Sequence, residues 1–153
     1  MDNTDLQRHI EQNGIEAEIL PMKGRVHSVD AASKELGVPH ERFIKTVVFV
    51  TESDTPVLAI VLGTDRASSK RIGAALSIAP PRLASPEDAL RLTKYAVGGT
   101  PPISISGAPV IIDPKVIEME EIIGGGGTDR HLLRIKPQDI ARDTNAIVTR
   151  IRK

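Results

Sequence analysis

Three short stretches of the chain carry groups that could do chemistry. Lys45 opens an apolar, β-branched run, Lys45-Thr46-Val47-Val48-Phe49-Val50. A cation there can hold an anionic or hydroxyl-bearing group, but it is a poor general base at neutral pH unless burial lowers its pKa substantially. The ordinary alternative is a strand-end lysine whose head reaches water. In Gly98-Gly99-Thr100-Pro101-Pro102 the glycines let backbone amides face a ligand and the prolines stiffen the loop, although an ordinary turn has the same composition. Proline has no N–H, so any donors must come from Gly98, Gly99 and Thr100. The third stretch is the glycine run Gly124 to Gly127. Taken alone it reads as a tight strand-to-strand turn or a flexible loop. It lacks the Gly-Lys-Ser/Thr ending of a phosphate-binding loop, and the Thr128-Asp129 that follows would repel phosphate.

What is missing narrows the chemistry further. The chain has no cysteine, which excludes a thiol nucleophile, a disulfide scaffold and thiolate metal sites. Its four histidines, His9, His27, His40 and His131, lie far apart with no acid at ligand spacing, so no metal site is expected. The Gly-x-Ser-x-Gly pattern of a nucleophile elbow is absent. Twenty Lys plus Arg balance twenty Asp plus Glu, which excludes a broad cationic grip on nucleic acid and leaves only local contact. Aromatic residues make up 2%, namely Phe43, Phe49 and Tyr95, too few for a platform that stacks bases.

These stretches need elements to hold them, and 153 residues suffice for one domain, residues 1–153. Asn3 or Thr4 can cap a first helix that buries Leu6 and Ile10 and stops at Asn13-Gly14. Ile15 to Leu20 reads as a strand. Ser28 is a good cap for a helix ended by Gly37, and Pro39 opens a short turn. The run from Lys45 to Val50 has strand length and a composition suited to burial on both faces, with Val57 to Leu62 as its hairpin partner. Ser68 or Ser69 can start a third helix with Ile72, Ala75 and Leu76 inward, and Ser85-Pro86 a fourth. Strands are expected near Ile103 to Ser106 and Pro109 to Asp113. Met119 to Ile123 and Leu132 to Ile135 flank the glycine run, Pro137 starts a last helix, and Ala146 to Ile151 forms a last strand. The alternation gives a mixed α/β domain whose sheet carries packed helices. The longest apolar run, Val57 to Leu62, is far below the roughly 20 residues that span a bilayer, and the polar amino terminus has no secretory pattern. A cytoplasmic protein without a membrane partner is expected.

Read in order, the three stretches belong to a larger pattern. His27 to Pro39, with Ala31-Ala32 and Leu36-Gly37, followed by Phe43-Ile44-Lys45-Thr46, resembles the YbaK-like editing domain found inside bacterial prolyl-tRNA synthetases and as free-standing aminoacyl-tRNA deacylases. Tyr95 to Pro102 looks like that family's Gly-x-x-x-Pro loop, with Gly98 and Pro102 as its ends. Ile122 to Gly127 and Lys136-Pro137-Gln138-Asp139-Ile140 are similar to its glycine turn and final helix. The match covers about residues 5 to 150.

The resemblance implies a curved, barrel-like mixed sheet around a central pocket. It implies a free-standing enzyme that hydrolyses the ester of a tRNA mischarged with a small amino acid, on substrates of the tRNA-Pro type. The partners would be the tRNA 3′ end and an aminoacyl-tRNA synthetase, with no DNA, metal or cofactor. An aminoacyl ester is already reactive, so a placed water, oxyanion donors and a fixed substrate suffice. Lys45, Gly98 and Gly99 are the expected catalytic positions, with Lys45 holding the terminal phosphate or ribose. His27, Thr100, Pro102, Gly125 and Gly126 are the expected substrate contacts. Relatives often carry Ser where this chain has Gly125, which removes a hydroxyl from the pocket and leaves the preferred amino acid open. The alternative is a catalytically silent module that recognises an aminoacyl end, a nucleotide or a protein partner.

Overall fold

The computed structural model describes every residue of the chain except His27. In chain order the elements are α1 (Asn3–Gln12), β1 (Ala17–Pro21), α2 (Val29–Leu36), a 3-10 turn (His40–Arg42), β2 (Ile44–Val50), β3 (Pro56–Leu62), α3 (Ser69–Leu76), β4 (Arg82–Leu83), α4 (Pro86–Thr93), β5 (Val110–Ile112), α5 (Pro114–Ile117), β6 (Ile122–Gly125), β7 (His131–Ile135), α6 (Pro137–Thr144) and β8 (Ile147–Val148). The fold is mixed α/β, as expected.

The strands make two sheets. One has five strands in the order β4-β2-β3-β5-β8, and the other has three in the order β1-β7-β6. β2 and β3 form the expected antiparallel hairpin, with Lys45 opposite Val61, whereas β3, β5 and β8 run parallel. A single bridge between Phe43 and Ile123 brings β6 of the small sheet beside β2 of the large one. The two sheets meet there without closing into a barrel, so the expected barrel-like sheet is an open pair.

Side chains alternate along β3 and feed two cores. Leu58 and Ile60 face the space between the sheets, where Leu6 and Ile10 of α1, Ile122, Leu133 and Ile140 join them. Val57, Ala59 and Val61 face the other way, against Ile72 of α3. Each such Val, Leu or Ile side chain contributes about 1.5–3 kcal/mol by leaving water, and together they fix the position of β2. A third cluster of Ala32, Phe43, Ile123 and Leu132 seats α2 over the junction of the sheets.

The structure corrects the sequence reading in four places. The cap of α1 is Asp2: its carboxylate accepts from the Thr4 N–H (2.8 Å) while Asp5 accepts from the Asp2 N–H (2.9 Å). Residues 103–106 form no strand, because Ser104 (φ +72°) and Gly107 (φ +74°) are left-handed and break an extended run. The apolar signal there came from a buried loop residue, Ile103. The short helix α5 went unread, although Asp113-Pro114 is a cap followed by proline at the first helical position. Finally, β2 is buried at Ile44 and over Val48–Val50, while Lys45–Val47 between them are partly exposed. The reason is its neighbour: β4 pairs with Phe49 and Val50 alone, so the start of β2 has an open edge.

Candidate active site

A cavity of about 460 Å³ occupies that open edge. Its floor is β2 from Ile44 to Val48 with Ile123 and Gly124 of β6. One wall is α2 with the residues before it (Val26, Val29, Ala32), and another is Leu83 to Ala89 at the start of α4. The loop carrying Val97, Gly98 and Thr100 and the end of β6 at Gly125 complete it. The lining is mostly apolar, with Leu83 and Val97 largely exposed at the mouth.

Four of the expected positions therefore share one space: Lys45, Gly98, Thr100 and Gly125. Gly99, Pro102 and Gly126 are buried behind the wall and do not line it. His27 lies outside the described residues, and its neighbours Val26 and Val29 do line the cavity. Sequence reasoning missed the apolar walls from α2 and α4, whose residues look like ordinary core.

The two glycine stretches are one assembly. The Gly127 N–H donates to the Gly99 carbonyl (2.8 Å), and the Gly99 N–H donates to the Ala96 carbonyl (3.1 Å). A side chain on Gly99 would begin 2.6 Å from the Thr128 backbone, and one on Gly125 would begin 2.1 Å from the Thr100 carbonyl oxygen. Gly126 packs as tightly on His131 and Leu132, while its N–H bonds the His131 carbonyl at 3.1 Å. The run is thus a close-packed seam between backbones rather than a loose loop. Tyr95 anchors the loop from below: its ring is buried, its hydroxyl pairs with Ser104 Oγ (2.8 Å), and burial pushes its pKa up.

These bonds determine which donors remain. With Gly99 committed to Ala96, the Gly98 and Thr100 N–H groups are the ones without a protein acceptor among the described residues. The Lys45 ammonium has neither a carboxylate within 4.0 Å nor a hydrogen-bond partner among those residues. The Thr46 hydroxyl, on the cavity floor, is buried and likewise unpartnered among them. A lone hydroxyl in a β-branched apolar run was the signal for it. No group of three His, Asp or Glu among the described residues could hold a metal ion, and no helix among them is long and apolar enough to cross a membrane.

Comparison with known proteins follows the same lines. Among solved structures, a candidate trans-editing enzyme for prolyl tRNA synthetase superposes with a TM-score of 0.89 at 25% identity, covering 99% of this chain and 96% of the other. A hypothetical protein, APE2540, superposes with a TM-score of 0.90 at 24% identity over 97% and 99% of the two chains. Among sequences, the proline–tRNA ligase of Solidesulfovibrio magneticus is 30% identical over 123 residues, 79% of this chain and 20% of the ligase. That of Pediococcus pentosaceus is 28% identical over 98% of this chain and 26% of the ligase. The chain thus spans about a fifth to a quarter of the ligases it matches. The model of the aminoacyl-tRNA editing domain matches residues 23–142, and with its cavity, its glycine seam and its fold the chain belongs to that family.

Proposed function

We propose that the protein is a trans-acting aminoacyl-tRNA deacylase that removes a small, wrongly attached amino acid from the 3′ end of tRNA, with tRNA-Pro as the substrate type. The observation that carries this reading is the convergence of Lys45, Gly98, Thr100 and Gly125 on one largely apolar cavity. In the reaction a water oxygen attacks the ester carbonyl and the bond to the ribose oxygen breaks. The amino acid and a free ribose hydroxyl are the products. Negative charge gathers on the carbonyl oxygen in the transition state. The uncommitted N–H groups of Gly98 and Thr100 are suited to receive it, each worth on the order of 3 kcal/mol. Lys45 is the positioning cation, holding the terminal phosphate or ribose so that the ester faces those donors. Proton transfer then runs through water and the neighbouring ribose hydroxyl. The apolar walls select by size, admitting small side chains and excluding larger ones. No metal or cofactor enters this scheme, and it suits a cytoplasmic protein that works beside a synthetase.

Deacylation of Ala-, Cys-, Ser-, Thr- and Pro-tRNA by wild type and Lys45→Ala tests the proposal. Turnover of at least one small-residue ester, lost in the variant, is the expected result. No turnover above buffer for any member would leave a binding module that recognises the aminoacyl end without cleaving it. Near-wild-type rates in Lys45→Ala would remove Lys45 from the mechanism.

A further inference from the structure

A second cavity, of about 650 Å³, lies against the first and shares Lys45, Val47 and Leu83 with it. Among the described residues its charged side chains are of one sign: Lys45, Arg66, Lys70, Arg82 and Lys153 line it, and no Asp or Glu does. In a chain of zero net charge this is a local concentration of cations. Elsewhere cations either sit against a carboxylate, as Arg8, Arg91, Arg134 and Arg152 do, or, like Lys23, Arg71 and Lys115, are unpaired among the described residues but lie outside this cavity. Here Arg82 alone is paired, to Asp88 at 2.9 Å. Among the described residues, Arg66, Lys70 and Lys153 have no carboxylate within 4.0 Å.

The groove is also built rather than incidental. The Lys153 N–H donates to the Arg66 carbonyl (2.8 Å), the Ser68 N–H donates to the Ile151 carbonyl (2.6 Å), and Ala67 bridges Arg152. Residues 151–153 thereby hold the segment that presents Arg66 and Lys70. Ser69 Oγ bonds the Pro81 carbonyl and ties the start of α3 to the segment carrying Arg82. Unpaired like charges held together repel one another, and they are relieved by a ligand that brings several negative charges in a row.

We propose that this groove seats the phosphates of the single-stranded RNA that leads into the reaction pocket, an inference that rests on the editing reading of that pocket. Lys45 is the cation common to both cavities: it faces the end of the strand on one side and the phosphates behind it on the other. Lysines and arginines that neutralise phosphates release counterions, so affinity falls with salt by about 0.7 log units per log unit of salt for each single-strand phosphate contact.

The test is binding of a 5′-labelled RNA hairpin with a single-stranded 3′ CCA end, followed by fluorescence anisotropy over a salt series. Wild type is compared with Arg66→Ala/Lys70→Ala and with a control double variant, Lys23→Ala/Lys115→Ala, which removes two cations outside the groove. The groove variant is expected to bind at least tenfold more weakly at low salt and to lose about 1.4 from the salt slope, while the control matches wild type and thermal melting shows all three folded. Equal affinity and slope in groove variant and wild type, or an equal loss in the control, overturns the proposal and leaves the groove to an acidic protein surface. The readout does not depend on hydrolysis. A protein that binds through the groove yet deacylates nothing keeps this inference and loses the editing reading, and one that deacylates with an unchanged slope does the reverse.

Discussion

Lys45 lies in the five-stranded sheet and Asp113 directly follows one of its strands, and the protein treats their charges in opposite ways. Asp113, just after β5, is 1% exposed. Its carboxylate accepts from the backbone N–H groups of Lys115 (3.1 Å), Ile151 (3.0 Å) and Arg152 (3.1 Å), and from the Arg152 guanidinium (2.8 Å). Burial pushes its pKa up, but those four donors outweigh it and hold the carboxyl below its ordinary value of 3.8. Lys45 lies on a partly exposed stretch of strand with no described partner. A charge whose bonding capacity is filled by its own chain holds the fold together, whereas a charge left unfilled at the wall of a cavity is available to a ligand.

The sharpest way to break this contrast is to remove each charge. Asp113→Ala leaves the Arg152 guanidinium and two C-terminal amides without their acceptor. It is expected to cost about 3–5 kcal/mol of stability, read as a lower denaturant midpoint, with any remaining folded protein as active per molecule as wild type. Lys45→Ala is expected to do the reverse. Deacylation should fall at least 100-fold, about 2.7 kcal/mol at the transition state, with a denaturant midpoint close to wild type. A large loss of stability in Lys45→Ala would erase the distinction.

A smaller effect is expected at Gly125. Its Cβ position, 2.1 Å from the Thr100 carbonyl oxygen, means that Gly125→Ser must push the Gly98–Thr100 loop outward. The overpacking costs about 1–3 kcal/mol, and relative rates across the tRNA panel should shift along with the melting temperature. Unchanged relative rates would show that the loop does not set the pocket. The gentlest test is acid. Because the folded pKa of Asp113 is depressed, its contribution is present above the unfolded value near 3.8 and is lost as pH falls through the folded one. Stability should therefore drop below about pH 4, and Asp113→Asn should flatten that part of the profile.

Much of this arrangement was legible in the residues themselves. Ser28, Ser68 and Ser85 cap the helices they were expected to start, since a cap is a local bond between neighbours in sequence. The hairpin of β2 and β3 was readable for the same reason. The open edge of β2 was not, because it depends on how little of that strand β4 covers, and β4 is only two residues long. The uptake of the Gly99 N–H by Ala96 also escaped notice, as composition says nothing of which amide in a glycine loop is already spent. Lys45 and the Gly98 loop stood out by their residue types, but their meeting point is a tertiary fact. The grouping of Arg66 and Lys70 with Lys153, more than eighty residues away in sequence, is likewise a tertiary fact.

The seam between the two glycine stretches has a consequence for how such a domain changes over evolutionary time. Gly127 bonds Gly99, and Gly125 abuts Thr100, so the segment that lines the cavity at Gly125 and the segment that carries the proposed oxyanion donors share one boundary. A substitution on either side moves the other. Under the proposed reaction, substrate preference and rate are then not separately adjustable traits, and a change in the amino acid removed would need matched replacements on both sides of the seam. Swapping residues 98–100 and 124–127 together between relatives should preserve more activity than swapping either alone.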